Sequence, residues 1–182
     1  MNFSSIRHTL GSGKAIAFWG VVYFVSQITI ATILKPIGHH AFLSHQLCFS
    51  QELVLQNFSQ WTAAGLLPVY KAHLYFDVIH PFWYTLFLLA ALSGIFNVNQ
   101  FSNKWNNVLA LPILAGLCDV FENMIQIIFL SDPSGEVITQ SLVFLGSCFS
   151  LCKWSLALGC LLLVLLLLTI YWVRRSLSLR GK

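Results

Sequence analysis

Two stripes of polar residues interrupt the oiliest parts of this chain. Asp119, Glu122, Asn123 and Gln126 lie inside an apolar run from Val108 to Leu130. Their spacing of i, i+3, i+4, i+7 puts all four on one face of a helix. His73, Asp77, His80 and Tyr84 form a second stripe, at i, i+4, i+7, i+11. An acid placed at the centre of a membrane helix costs at least about 2.5 kcal/mol, so such groups are expected to face a bundle interior or a wet cavity. Carboxylates and an imidazole among apolar side chains can exchange protons with a bound molecule. Asp77, His80 and Glu122 are therefore the candidate catalytic groups. Tyr84, Asp119, Asn123, Gln126 and Lys153 are the candidate ligand-binding groups.

The elements that must carry these stripes follow from composition. Of 182 residues, 57% are hydrophobic and 9% charged, far below the roughly 25% charged of soluble domains. Four long apolar segments predict an all-α, polytopic membrane protein, a four-helix bundle folded as a single domain over residues 1–182. The net charge of +4 is dispersed at the segment ends and is no nucleic-acid signal. The chain has no phosphate-binding G-x-x-x-x-G-K, no C-x-x-C and no G-x-S-x-G. The first apolar segment follows Arg7 and Lys14 as a signal peptide would. It runs too long and lacks a small-residue cleavage site, so it reads as a retained anchor.

In order, the spans are expected near residues 15–34, 72–96, 108–130 and 153–173. Lys35-Pro36 closes the first, in which Tyr23, Ser26, Gln27 and Ile30 share a mildly polar face. An outer loop over 36–71 follows. Within it Ser50 can cap a helix whose Val54, Phe58 and Trp61 line one face, a pattern suited to the membrane surface. Gly65 and Pro68 would end it. In the second span Pro81 removes the backbone bond to the Asp77 carbonyl, which predicts a kink beside the polar residues. Residues 97–107 form a polar turn, and Ser131-Asp132-Pro133-Ser134-Gly135 a loop. The last span has two readings: a short amphipathic helix before it, or one long helix from about Gln140 to Val173.

Charge gives an orientation. With the N-terminus inside, Arg7, Lys14, Lys104, Arg174, Arg175, Arg180 and Lys182 are cytoplasmic, and Lys35, Lys71 and Lys153 are outside. Seven bases against three is a positive-inside vote for a multi-pass protein with both termini cytoplasmic. His80 and Glu122 then each lie about 12 Å below the outer ends of their helices, and Asp119 about 17 Å. The stripes can meet in the outer half of the bilayer. If the fourth helix is long, Lys153 reaches the same level and can neutralise a carboxylate.

Three functional readings fit, beside the plainer one in which polar residues only bond helices together. In the first, the pocket binds a lipid- or sterol-like amphiphile and acts on it by acid–base chemistry, with Phe76, Phe82 and Phe121 as walls. In the second, carboxylates and histidine hold a metal. Di-iron bundles use Glu-x-x-His twice and this chain has it nowhere, so no metal ligand is assigned. In the third, the acids relay protons or ions in a small transport protein. Four helices leave little room for a pathway, so that reading calls for a homo-oligomer, and no inverted repeat supports it. A structural subunit of a membrane complex is a further alternative. His73 reads as a boundary histidine, and His39, His40 and His45 have no ligand spacing. Cys118 and Cys160 read as small core residues, and nothing pairs Cys48, Cys148 and Cys152.

Asp77-x-x-His80-Pro81-x-x-Tyr84, then Pro112 and Asp119-x-x-Glu122-Asn123, resembles a group of small four-span bacterial membrane proteins. They carry D-x-x-[F/H]-P in the second span and D-x-x-E-N in the third. The likeness covers roughly Phe49 to Leu130 and implies the four-span fold but no particular activity. A weaker likeness is to the EXPERA-domain family, which includes emopamil-binding protein and the sigma-2 receptor. It rests on four spans, a long first outer loop and an acid shortly before a proline, here Asp77 and Pro81. The spacing around the acids differs. The resemblance implies a sterol-like ligand held against acids in the membrane.

Overall fold

A computed structural model describes residues 3–132 and 135–180. Pro133 and Ser134 of the expected loop, and the basic Lys182, lie outside the described residues, as does the side chain of Arg180. The described chain is all helix, without strands. Its elements are α1 (Phe3–Leu10), α2 (Gly13–Leu34), α3 (His39–Gln46), α4 (Gln51–Ala63), α5 (Leu67–Asp77), α6 (His80–Val98), a 3-10 segment (Asn103–Leu109), α7 (Ala110–Ser131) and α8 (Gln140–Arg180). Among them α2, α6, the 3-10 segment continued by α7, and α8 are long and apolar enough to cross a membrane. This is a multi-pass helical bundle.

Helix α6 is the axis. It packs against α1, α2, α7 and α8, and Ala90, Leu92, Ser93 and Phe96 along it are fully buried. It comes close to α7 at Gly116, where a Cβ would run into Thr85 Oγ1. The Thr85 hydroxyl donates to the Pro112 carbonyl across the same seam, at 3.2 Å. Small residues that let backbones approach are the usual adhesive between membrane helices, where the hydrophobic effect offers none.

The second expected span is two helices. α5 ends at Asp77, α6 starts at His80 with Pro81 in its first turn, and Val78 and Ile79 lie between. The kink is thus a two-residue break in which the backbone stays right-handed, and the stretch able to cross a membrane starts at His80, eight residues later than expected. The ambiguity in the fourth span resolves to one continuous helix of 41 residues, about 61 Å long.

In the loop, α4 starts where expected: Ser50 Oγ accepts from the Leu53 amide. It ends before Gly65, whose φ of +68° suits glycine best. Its apolar stripe does not face outward. Val54 and Trp61 are buried, and the helix packs on α3, α5 and α8. Two short helices had no counterpart among the expected elements. One is α3. The other is α1, whose Arg7 is folded inward: it donates to Asn97 Oδ1 at 2.7 Å, Asn106 Oδ1 at 3.0 Å and the Phe96 carbonyl at 2.9 Å. The last of these satisfies a backbone carbonyl at the C-terminal end of α6, which is the favourable end for a cation.

Candidate functional site

The break between α5 and α6 sets the site. Pro81 has no amide hydrogen to give the Asp77 carbonyl. That carbonyl instead accepts from Asn123 Nδ2 of α7 at 2.9 Å. Asn123 thus repairs the backbone where the helix parts. Gln126 does similar work one turn on, its Oε1 accepting from Tyr70 Oη of α5 at 2.8 Å. These two candidate binding residues fasten α7 to α5, and neither lines the cavity described below.

The carboxyl group of Asp77 faces His73, with Oδ2 3.6 Å from Nε2. His73 Nδ1 lies 3.1 Å from the Tyr70 carbonyl; since a carbonyl can only accept, Nδ1 carries a proton and the Nε2 edge is turned to Asp77. His73, expected as a boundary residue, is 1% exposed. His80, at the head of α6, has Nδ1 2.9 Å from Ser26 Oγ of α2 and its ring against Tyr23 and Tyr84. The polar face of the first span is what meets it.

On α7, Asp119 and Glu122 share one cation. Lys153 Nζ stands 2.9 Å from Asp119 Oδ1 and 2.7 Å from Glu122 Oε2. All three are buried, Glu122 completely. Because α8 is unbroken from Gln140, its fourth turn delivers the lysine to this level. Among the described residues no group of three or more His, Cys, Asp or Glu is arranged to hold a metal ion.

A cavity of about 730 Å³ opens beside these groups. Asp77, His80, Asp119 and Lys153 give it a polar floor, with Tyr84 beside them. One wall is α2 (Tyr23, Phe24, Gln27, Ile30, Ala31, Leu34), another is α8 (Trp154, Ala157, Leu158, Leu161), and Phe87 and Leu88 of α6 form the back. The roof is α3, through His39, Phe42, Leu43 and Gln46. Phe76, Phe82 and Phe121, expected as walls, point away and are 52%, 60% and 47% exposed. Glu122 stands behind Lys153, outside the lining. The hydroxyl of Tyr84 is buried at the floor and has no hydrogen-bond partner among the described residues.

A histidine without an expected role completes the polar interior. His45 of α3 is 2% exposed, boxed by Phe58, Trp61 and Tyr70, with Nδ1 3.3 Å from Asn57 Nδ2. Burial pushes its pKa down to about 4; the nearby Gln126 side chain opposes this and the nearby His73 adds to it. Only the fold brings these residues together, and sequence spacing carries no sign of it. Of the cysteines, Cys48 and Cys160 are buried, Cys118 and Cys148 half-buried and Cys152 exposed, all as free thiols.

Comparison of the chain with protein-family models, with curated proteins and with solved structures gave no match.

Proposed function

We infer that this membrane protein holds a lipid- or sterol-like amphiphile, with the ligand's polar group on the Asp77, His80, Asp119 and Lys153 floor and its hydrocarbon against α2, α6 and α8. The observation that carries the reading is the cavity, which combines apolar walls, few polar groups and a volume of about 730 Å³. Ligand pockets of roughly 300–1,000 Å³ with such a lining suit molecules of this class. The unpartnered Tyr84 hydroxyl supports it too, since a buried polar group without a partner costs about 1–3 kcal/mol that a ligand can recover. With the termini cytoplasmic, as the distribution of bases suggests, the carboxylates would lie in the outer half of the bilayer. The likeness of Asp77 and Pro81 to the EXPERA-domain pattern points toward the same ligand class. Acid–base chemistry, if the protein performs it, falls to Asp77 and His80, which line the cavity. Glu122 acts behind them by fixing Lys153.

Native mass spectrometry of the detergent-purified protein, followed by lipid extraction, tests this. A stoichiometric amphiphile is expected in wild type, lost in Asp77→Asn and kept in Leu166→Ala, a change on the outward face of α8. If wild type and Asp77→Asn carry the same bulk lipids while pH-dependent flux in liposomes needs Asp77, the chain is a transport protein instead.

A further inference from the structure

Where the cavity opens narrows the kind of molecule it takes. Helices α2 and α8 both wall it, yet among the described residues they do not pack against each other; α2 rests on α5 and α6, and α8 on α6 and α7. The seam between them is therefore unclosed. Its rim is apolar and faces outward, with Phe24 and Leu158 each 55% exposed and Leu161 40%. The loop end is shut by α3, which packs on both α2 and α8 and is latched by a hydrogen bond from Trp154 Nε1 to Gln46 Oε1 at 3.2 Å. Resting on the amphiphile reading above, we propose that the gap between α2 and α8 is a lateral portal, through which an uncharged, membrane-dissolved alcohol enters headfirst to meet the Tyr84 hydroxyl.

Each part of that class follows from the geometry. A ligand that passes an apolar rim from within a bilayer must shed its water, which is costly for a charge and cheap for a hydroxyl. At the floor it meets acceptors, the carboxylates of Asp77 and Asp119, a donor in Lys153, and His80 and a phenol that can do either. An alcohol, donor and acceptor at once, can use both kinds of group, whereas a ketone or ester could only accept and would leave the carboxylates unused. The hydrocarbon remainder stays between α2 and α8, where Ala31 and Ala157 leave it width.

The test uses the full chain reconstituted in phosphatidylcholine vesicles. The probes are alkyne-tagged photoreactive diazirine lipids: a long-chain primary alcohol, a sterol, a long-chain amine and a fatty acid. Crosslinks are mapped by mass spectrometry. The alcohol or the sterol should label Phe24, Leu158 and Leu161, and comparison of those two arms separates a linear from a fused-ring body. Tyr84→Phe should lower labelling about tenfold. Leu158→Trp, or Ala31→Phe should that variant fail to fold, should slow the appearance of label at least fivefold, whereas Leu166→Ala, on the outward face of α8, should leave the rate unchanged. Faster labelling in Gln46→Ala with no effect of the rim variants overturns the portal in favour of the roof. Stronger labelling by the amine or the acid overturns the alcohol assignment. Label on Tyr84 and Leu88 but not on the rim also removes the portal while leaving the ligand reading intact. No label in the cavity from any probe defeats the ligand reading itself.

Discussion

Replacing Lys153 with methionine should damage this protein more than replacing either acid it touches. One ammonium sits 2.9 Å from Asp119 and 2.7 Å from Glu122, and all three groups are out of solvent. At an effective dielectric near 20, each contact carries on the order of 5 kcal/mol of attraction. Desolvation offsets most of that, so the intact cluster contributes little net stability. Removing the lysine leaves two buried carboxylates facing each other. Breaking a buried pair in this way costs about 3–5 kcal/mol, a fall in melting temperature of roughly 6–20 °C for a chain of this size. Glu122→Gln gives up one hydrogen bond between charged groups, worth about 1.5–3 kcal/mol. It also removes the second buried negative charge and leaves a one-to-one pair of Asp119 with Lys153, so it should cost less than Lys153→Met. The triple variant Lys153→Met, Asp119→Asn, Glu122→Gln removes every charge at once and should recover most of the loss. Thermal melts of the detergent-purified proteins, followed by tryptophan fluorescence, give the ranking. If Glu122→Gln melts as low as Lys153→Met, or the triple variant fails to rescue it, the charge accounting is wrong.

The Asn123 bond to the Asp77 carbonyl should be worth about 1–3 kcal/mol, because Asn123→Leu leaves a buried acceptor bare; faster amide exchange at the start of α6 would report it. His45 sets a pH dependence. Its folded pKa of about 4 lies below the ordinary 6.5, so its contribution is complete above pH 6.5 and is lost as pH falls toward 4, about 3 kcal/mol in all. Melts between pH 7 and 4 should show that slope, and His45→Phe should flatten it. For orientation, Ser44→Cys and Ser178→Cys in a background without the five native cysteines should label from opposite sides of sealed vesicles. Labelling of both from outside contradicts the positive-inside assignment.

The polar stripes were readable in the sequence because two regularities coincide: a period of 3.6 residues and the cost of polar groups in long apolar runs. Lys153 was readable only on one of the two readings of the last span, in which a helix starting near Gln140 brings it to the level of Glu122; the sequence does not choose between them. Pro81 marked the place of the break but not the group that answers it. Asn123 looks the same in sequence whether it binds a ligand or a carbonyl. The cavity walls were misread for a geometric reason. Phe76 and Phe121 adjoin Asp77 and Glu122 along the chain, and Phe82 is two residues from His80, but on a helix one step turns about 100° and two steps about 200°. Residues that do wall the cavity, such as Tyr23 and Phe87, come from separate helices whose docking the sequence does not encode locally. Arg7 and His45 were opaque because their partners, Asn97, Asn106 and Trp61, are distant in the chain and carry no spacing.

The stitch between Asn123 and the Asp77 carbonyl also orders how this protein is made. At the moment the stretch around Pro81 leaves the ribosome, its broken backbone has no partner, and the side chain that supplies one is more than forty residues behind. The acids of α7 wait in the same way for Lys153, a further thirty residues on. Each helix thus arrives owing a bond to the next. The translocon would have to hold α5 and α6 beside it until α7 emerges, and α7 until α8 does, so a chain truncated before Lys153 should be recognised as unfinished by the membrane's quality-control proteases.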